Sequence, residues 1–347
     1  MNKNNISYEV QTQNYSTFGD KLLQHADLLN EIQNDRKFRP VTIQLGPTEN
    51  CDSDCSFCSV QNRDTKQKIS FDKIVQVLTD FKSLGAKSIE LTGSGNPLIY
   101  RDGDKKFNDI LQACVDLDYK IGIITNTEVL RRHIDAKRFA DKIQWIRISL
   151  IKLDEGKKPE DYNFDGFDIS KIGFSYIIYN KYDGYKNFTT KESLFKIKDL
   201  VELHPEIKFV RIAADCLTDE SLTIKDNWGT FIQEIDPYGK FFIKEINDNF
   251  HAFQEGCYVG MIRPYIVWNG VYICSSHVLI NRNYHPTWKL CDHKDILIAW
   301  GEMNQRFANG ESPYDIDISG KCKHCYYFSN NKLLNSIIKE MPDKDFV

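Results

Sequence analysis

The sequence has no apolar run approaching the roughly 18 to 20 residues that cross a bilayer. Its first residues, Met1 to Asn14, are polar and lack the apolar stretch of an export signal. It also lacks an excess of either charge: 45 Lys and Arg face 49 Asp and Glu, for a net charge of −4. Binding driven by bulk charge is therefore excluded, nucleic acid is not an expected partner, and only a local basic patch is left open. No internal repeat or low-complexity tract is present. These absences describe a soluble, cytoplasmic protein with no membrane association. What is present can build a core. Hydrophobic residues make up 41% of 347 and charged residues 27%, enough for one large domain with an appendage or two medium domains.

Ten cysteines set the question. Cys51, Cys55 and Cys58 sit together, and Cys257, Cys274, Cys291, Cys322 and Cys325 lie in the last third. Cys114 and Cys216 stand apart; Cys114 falls on the apolar face of a helix and reads as core. Clustered thiols without an export signal point to metal or redox chemistry rather than disulfides.

Residues 1–40 form a polar extension with one amphipathic stretch, Phe18 to Ile32. A strand–helix rhythm follows. Val41 to Leu45 is a β-branched run, and Ser70 can N-cap a helix carrying Ile74, Val77, Leu78 and Phe81, stopped by Gly85. Ser88 to Leu91, Lys120 to Ile124, Ile143 to Leu150, Ile172 to Tyr179 and Ile207 to Ile212 read as further strands. Helices are expected over Phe107 to Leu117, Glu128 to Asp141 and Lys191 to Leu203, with a polar connection over 151–170. Six such strands alternating with helices predict an α/β fold, a partial (β/α)6 TIM-like barrel over 41–216, with its site at the strands' C-terminal ends. After about residue 217 the rhythm fails. A linker region over 217–256 and a small irregular C-terminal module over 257–347, ending in a helix near Asn331 to Lys339, complete the expected organisation.

Cys51-Asp-Ser-Asp-Cys55-Ser-Phe-Cys58 follows directly on the first strand. A structural zinc site draws four ligands, usually as two separated pairs. Three thiolates in one loop suit a [4Fe-4S] cluster with one iron open to an external ligand, with zinc and free thiols as the plainer readings. This CxxxCxxC pattern, with Phe57 before the last cysteine, resembles the radical S-adenosylmethionine (radical SAM) superfamily. The resemblance implies that the open iron holds SAM and that reductive cleavage of SAM gives a 5′-deoxyadenosyl radical, which abstracts hydrogen from a substrate. It also implies a flavodoxin- or ferredoxin-like electron donor. After the second strand, Gly93-Ser94-Gly95-Asn96-Pro97 is similar to the family's glycine-rich loop, with Asn96 where Glu is usual. Such a loop brings backbone acceptors to the SAM ammonium; an ordinary turn is the alternative. Thr125 and Asn126 after the third strand, and Ser149 at the end of the fourth, match family positions that touch SAM, or are turn and strand-end residues.

Cys257, Asn269-Gly270-Val-Tyr-Ile-Cys274 and Cys322-Lys-His-Cys325 resemble the auxiliary-cluster module called SPASM, or its shortened form Twitch. The resemblance implies one auxiliary [4Fe-4S] cluster on Cys257, Cys274, Cys322 and Cys325, with Cys291 a spare in a turn. Zinc is the alternative for this set. His277, His293 and His324 read as surface or packing histidines.

Asp215 and Cys216 lie just past the sixth strand. Asp215 is a candidate base for a substrate being oxidised. Cys216 is a candidate hydrogen donor in an epimerisation, or a small apolar filler. Arg147 and Arg211, at strand ends, are candidates for a substrate carboxylate or phosphate, or structural ion-pair partners. The leading expectation is a two-electron oxidation or bond formation on a small-molecule or peptide substrate, with the auxiliary cluster as electron acceptor. A redox-neutral epimerase or isomerase using Cys216 is the second, and a non-enzymatic iron–sulfur or zinc module the third.

Overall fold

The structure is a computed structural model that describes residues 19–218, 223–244, 256–275, 282, 284, 286–316 and 327–339. Cys322, Cys325, His277 and His324 lie outside the described residues.

The six expected strands form at β1 (Thr42–Leu45), β2 (Ser88–Leu91), β3 (Lys120–Thr125), β4 (Ile143–Ser149), β5 (Ile172–Ile178) and β6 (Val210–Ala214). Neighbours in this series all pair in parallel. The rhythm then continues where the sequence reading has it fail. Helix Ile224–Ile235 carries the chain to β7 (Phe241–Lys244), which pairs in parallel with β6. Four buried residues without alternation make β7 a strand covered on both faces, the form that leaves no period-2 signature. On the opposite edge β8 (Tyr265–Val267) pairs in parallel with β1, and β9 (Gly270–Tyr272) and β10 (Lys289–Cys291) add antiparallel to it. Among the described residues the sheet thus has ten strands, ordered β10-β9-β8-β1-β2-β3-β4-β5-β6-β7. Strands β8 to β10, which fall within the stretch expected to be a small irregular module, extend the core sheet. Cys291 ends a strand instead of sitting in a turn, because β10 needs it opposite Val271.

The helices follow their apolar faces. Taken in chain order, α1 is Ala26–Asn34 and α2 is Phe71–Ser83. On α2, Ile74, Val77, Leu78 and Phe81 are all fully buried, each stabilising by about 2 kcal/mol. Ser70 precedes this helix but its side chain caps nothing; the Asp102 carboxylate accepts from the Phe71 amide at 2.9 Å in its place. Gly85 ends the turn after α2 at φ +102°, a left-handed conformation that favours glycine. The stretch from Glu128 to Asp141 forms only the turn Leu130–Arg132 and the four residues Ala136–Phe139, not the long helix expected. Lys191–Leu203 is helical as read. Near the C-terminus, α3 (Ile296–Ala308) sets Trp300 edge-on against Phe81 at 5.1 Å, and α4 (Phe328–Ile338) packs on α1. The described part of the N-terminal extension, from Gly19 on, thus packs against the C-terminal helix.

Candidate functional site

The loop after β1 carries Cys51, Cys55 and Cys58, all half-buried and none in a disulfide. The chain turns tightly there, with the Cys58 amide donating to the Cys55 carbonyl at 3.0 Å. Burial, then the neighbouring Cys58 and Cys51, push the Cys55 thiol well above its ordinary range. Burial likewise raises Cys51. Thiols crowded in this way resist becoming thiolates unless a cation takes the charge. Two arginines stabilise the loop. Arg63 donates to the Glu49 carbonyl at 2.8 Å and to Cys58 Sγ at 3.4 Å. Arg282, from the C-terminal half, donates to the carbonyls of Ser56 and Cys58. Phe57 leans on Tyr179, ring centroids 4.5 Å apart.

The glycine loop after β2 is fastened to the cysteine loop. A Cβ on Gly95 would stand 2.1 Å from the Asn50 carbonyl oxygen, so only glycine permits the approach. Gly93 also lies close to Gly46, whose Cβ would meet its Cα at 3.2 Å. The Asn96 amide donates to Asn50 at 2.8 Å, and Ser94 Oγ donates to Glu49 Oε1 at 2.6 Å. Burial pushes the Glu49 carboxyl up to about 7, against hydrogen bonds from Ser94 and Tyr284 and the charge of Arg63. The Asn96 side chain is spent on the protein itself. Its Oδ1 accepts from Thr125 and from the Leu98 amide, and its Nδ2 donates to Asp52 and Thr127. What this position offers a ligand is backbone.

Below the loops sits a charged triad that the sequence did not reveal. Lys152, buried in the polar connection, donates to Asp52 at 2.6 Å and to Glu128 at 3.0 Å. Burial opposes charge on all three, yet the pairing holds both carboxyls below and the ammonium above their ordinary values. Asn126 Nδ2 donates to Ser53 at 2.8 Å and reaches Cys51 Sγ at 3.8 Å. Asn126 Oδ1 is buried with no hydrogen-bond partner among the described residues. Ser149 is half-buried at the end of β4, in register with Ser175.

Residues 45–159 match the family described as the radical SAM superfamily. This chain carries a radical SAM domain. Over 126 residues it is 31% identical to an uncharacterised protein of Archaeoglobus fulgidus, covering 35% of this chain and 29% of that one. It is 28% identical to the GTP 3′,8-cyclase of Staphylococcus saprophyticus over 35% of this chain and 37% of the relative. For the GTP 3′,8-cyclase of Psychromonas ingrahamii the figures are 30%, 40% and 39%. The matches thus span about a third of the length of these curated relatives. Among solved structures, SuiB of Streptococcus suis bound to the precursor peptide SuiA superposes with a TM-score of 0.55 at 17% identity, over 93% of this chain and 79% of that one. SuiB bound to S-adenosylmethionine gives 0.50 at 16%, over 76% and 67%. These two likenesses are of fold.

The cofactors of a radical SAM domain are a [4Fe-4S] cluster and SAM, and this site has the donors they need. Three free thiols share one loop, Gly95 keeps a Cβ out of the space between the loops, and Asn126 holds an unused acceptor beside Cys51. Among the described residues no group of three or more His, Cys, Asp or Glu is set to hold a metal ion, so the three thiols share a loop without being gathered into one such group. Further along the radical SAM fold, Asp215 lies buried just past β6. Its Oδ1 accepts from the Leu217 amide at 2.9 Å and its Oδ2 from the Tyr182 hydroxyl. Arg282 stacks over the Tyr182 ring at 5.8 Å, which links Asp215 to the cysteine loop. Cys216 is half-buried and close enough to Tyr182 to add to the rise of its hydroxyl above the ordinary value, which burial leads. Cys257 and Cys274 both lie beside Tyr314, whose hydroxyl donates to the Cys257 carbonyl. Cys114 is fully buried in the core, and His293 is a packing histidine bonded to the Val267 carbonyl at 2.7 Å.

Proposed function

We propose that this protein is a radical SAM oxidoreductase in which Cys51, Cys55 and Cys58 hold a [4Fe-4S] cluster and Cys257, Cys274, Cys322 and Cys325 hold a second. When bound, the first cluster and SAM supply a 5′-deoxyadenosyl radical that takes a hydrogen atom from the substrate, and the second cluster supplies an electron acceptor. The observation that carries this reading is the three-cysteine loop at the C-terminal end of β1, locked to a glycine loop at the end of β2 by the Asn50–Asn96 and Glu49–Ser94 contacts. Phe57, Gly93, Ser94, Gly95, Asn96, Thr125, Asn126 and Ser149 surround the SAM position in this reading. Each Asp215 oxygen accepts one hydrogen bond, and the Tyr182 hydroxyl on Oδ2 offers a substrate proton a route to Asp215.

The relatives' names divide on substrate: two are GTP cyclases and one structural neighbour binds a precursor peptide. A small molecule or a peptide is the substrate, a flavodoxin- or ferredoxin-like protein the electron donor, and the cytoplasm the compartment. No described helix is long and apolar enough to cross a membrane. A second reading, a redox-neutral epimerase, has support in the thiol of Cys216, which is in no disulfide and lies beside Tyr182.

Anaerobic reconstitution tests the cofactor count. About eight irons per chain, half of them lost on Cys257→Ala, support two clusters; stoichiometric zinc with about four irons overturns the second. Turnover in deuterated water separates the two chemistries. Oxidation leaves no solvent deuterium at the abstracted carbon and is slowed more by Asp215→Asn than by Cys216→Ala. Deuterium at that carbon, lost in Cys216→Ala, establishes the epimerase.

A further inference from the structure

Two arginines from distant parts of the chain converge on Cys58, and they hold it differently. Arg282 Nε and Nη2 donate to the Cys58 carbonyl at 3.1 and 3.0 Å, and Nη2 also donates to the Ser56 carbonyl. The Asn62 amide donates back to the Arg282 carbonyl at 3.0 Å. These contacts grip the backbone of the loop. Arg63 grips the sulfur itself: its Nη1 donates to Cys58 Sγ at 3.4 Å. Cys51 Sγ, by contrast, meets the neutral amide of Asn126 at 3.8 Å.

Arg63 is held so that it cannot turn away. Its Nε donates to the Glu49 carbonyl at 2.8 Å, and its Nη1 also donates to the Val60 carbonyl at 2.9 Å. With two nitrogens of a planar group fixed in this way, the guanidinium keeps one orientation toward the sulfur. Its side chain is only 7% exposed, so water and salt screen its charge little. That charge is permanent, because arginine keeps its proton in proteins. The Glu49 carboxyl lies 3.9 Å from Nε and offsets part of it, but this carboxyl also accepts from Ser94 and Tyr284, each at 2.6 Å.

Resting on the radical SAM reading above, we infer that Arg63 sets the reduction potential of the cluster held by Cys51, Cys55 and Cys58. Reduction brings in one electron from the donor protein and moves no proton, so the site becomes one unit more negative. A fixed cation with an N–H on a ligand sulfur favours that more negative state and raises the potential. Without Arg63 the cluster is harder to reduce, and this holds before any SAM is cleaved. The Arg282 donors end on carbonyls and hold the loop in place.

The test is a redox titration of anaerobically reconstituted protein followed by electron paramagnetic resonance. It reads the reduced signal that is absent when Cys51, Cys55 and Cys58 are all changed to Ala. Arg63→Gln, which keeps an N–H donor but not the charge, should lower the reduced-to-oxidised ratio at a given potential about tenfold, a shift of about 59 mV for a one-electron couple. Arg63→Lys, which keeps the charge, should recover much of it. Arg282→Gln should shift the potential less than Arg63→Gln does, although it also loosens the loop. Electron–nuclear double resonance on wild-type protein carrying heavy-nitrogen-labelled arginine needs no neutral variant. It should show an arginine nitrogen coupled to the reduced cluster, and the coupling should vanish in Arg63→Lys. An unchanged potential in iron-loaded Arg63→Gln, a larger shift in Arg282→Gln, or no arginine nitrogen coupling in the wild type overturns the inference. Absence of the signal from iron-loaded wild-type protein overturns the radical SAM reading itself, and the inference with it.

Discussion

Gly95→Ala places one methyl group where the two site loops meet. Its Cβ would stand 2.1 Å from the Asn50 carbonyl oxygen and 2.7 Å from both the Glu49 carbonyl carbon and the Thr48 oxygen. All three are backbone atoms and cannot swing aside as a side chain would. Relief requires the loops to part by at least about 1 Å, which stretches the 2.8 Å hydrogen bond from the Asn96 amide to Asn50. Overpacking costs about 1–3 kcal/mol and the lost hydrogen bond about 1 kcal/mol more. A loss of about 2–4 kcal/mol lowers the melting temperature by about 3–5 °C in a chain of this size. Because the movement separates the glycine loop from the cysteine loop, SAM affinity should fall with it. Thermal melts and SAM titrations of reconstituted protein provide the assay. Gly301→Ala is the matched control: in helix α3, with no atom within 4 Å of the added Cβ, it should be neutral or stabilise by up to about 1 kcal/mol. A Gly95→Ala protein that melts and binds SAM like the wild type would refute the close-approach reasoning.

Lys152→Met leaves Asp52 and the buried Glu128 without their shared cation, at about 3 kcal/mol in urea unfolding; a loss under about 1 kcal/mol would show the triad to be solvated in practice. Arg282→Gln removes the donors to the Ser56 and Cys58 carbonyls and should speed iron loss to a chelator; unchanged loss would mean the cysteine loop holds itself. Burial first depresses the ring of His293 below its ordinary 6.5, so its contribution is present above about pH 6.5 and fades as the pH falls and the ring protonates. The stability gap between wild type and His293→Gln should therefore narrow from pH 8 to pH 5.5; a constant gap counts against the assignment.

The outer layers of the fold were legible because they repeat. Ile74, Val77, Leu78 and Phe81 recur at helical spacing and are all buried, and the β-branched runs mark β1 to β6 within a few residues. β7 escaped because Phe241–Lys244 is short and buried throughout, so no alternation sets it apart from the aromatic segments around it. The cysteines and the glycine loop were legible because their chemistry is local in sequence. The groups that fasten them were not. Lys152 lies 100 residues from Asp52 and 24 from Glu128, and nothing in a polar run marks which lysine turns inward. Arg282 is 224 residues from the Cys58 carbonyl it holds. The same limit applies to Arg147 and Arg211, which drew notice singly, but only the folded sheet sets them with Lys244 and Arg263 around one cavity.

The most direct test of the central claim is SAM cleavage by reconstituted, chemically reduced protein, followed as 5′-deoxyadenosine and methionine by liquid chromatography. The wild type should produce both in equal amounts, and changing Cys51, Cys55 and Cys58 together to Ala should remove about half of the iron and all of the 5′-deoxyadenosine. Continued cleavage by the triple variant, or none by wild-type protein that has its full iron, would contradict it.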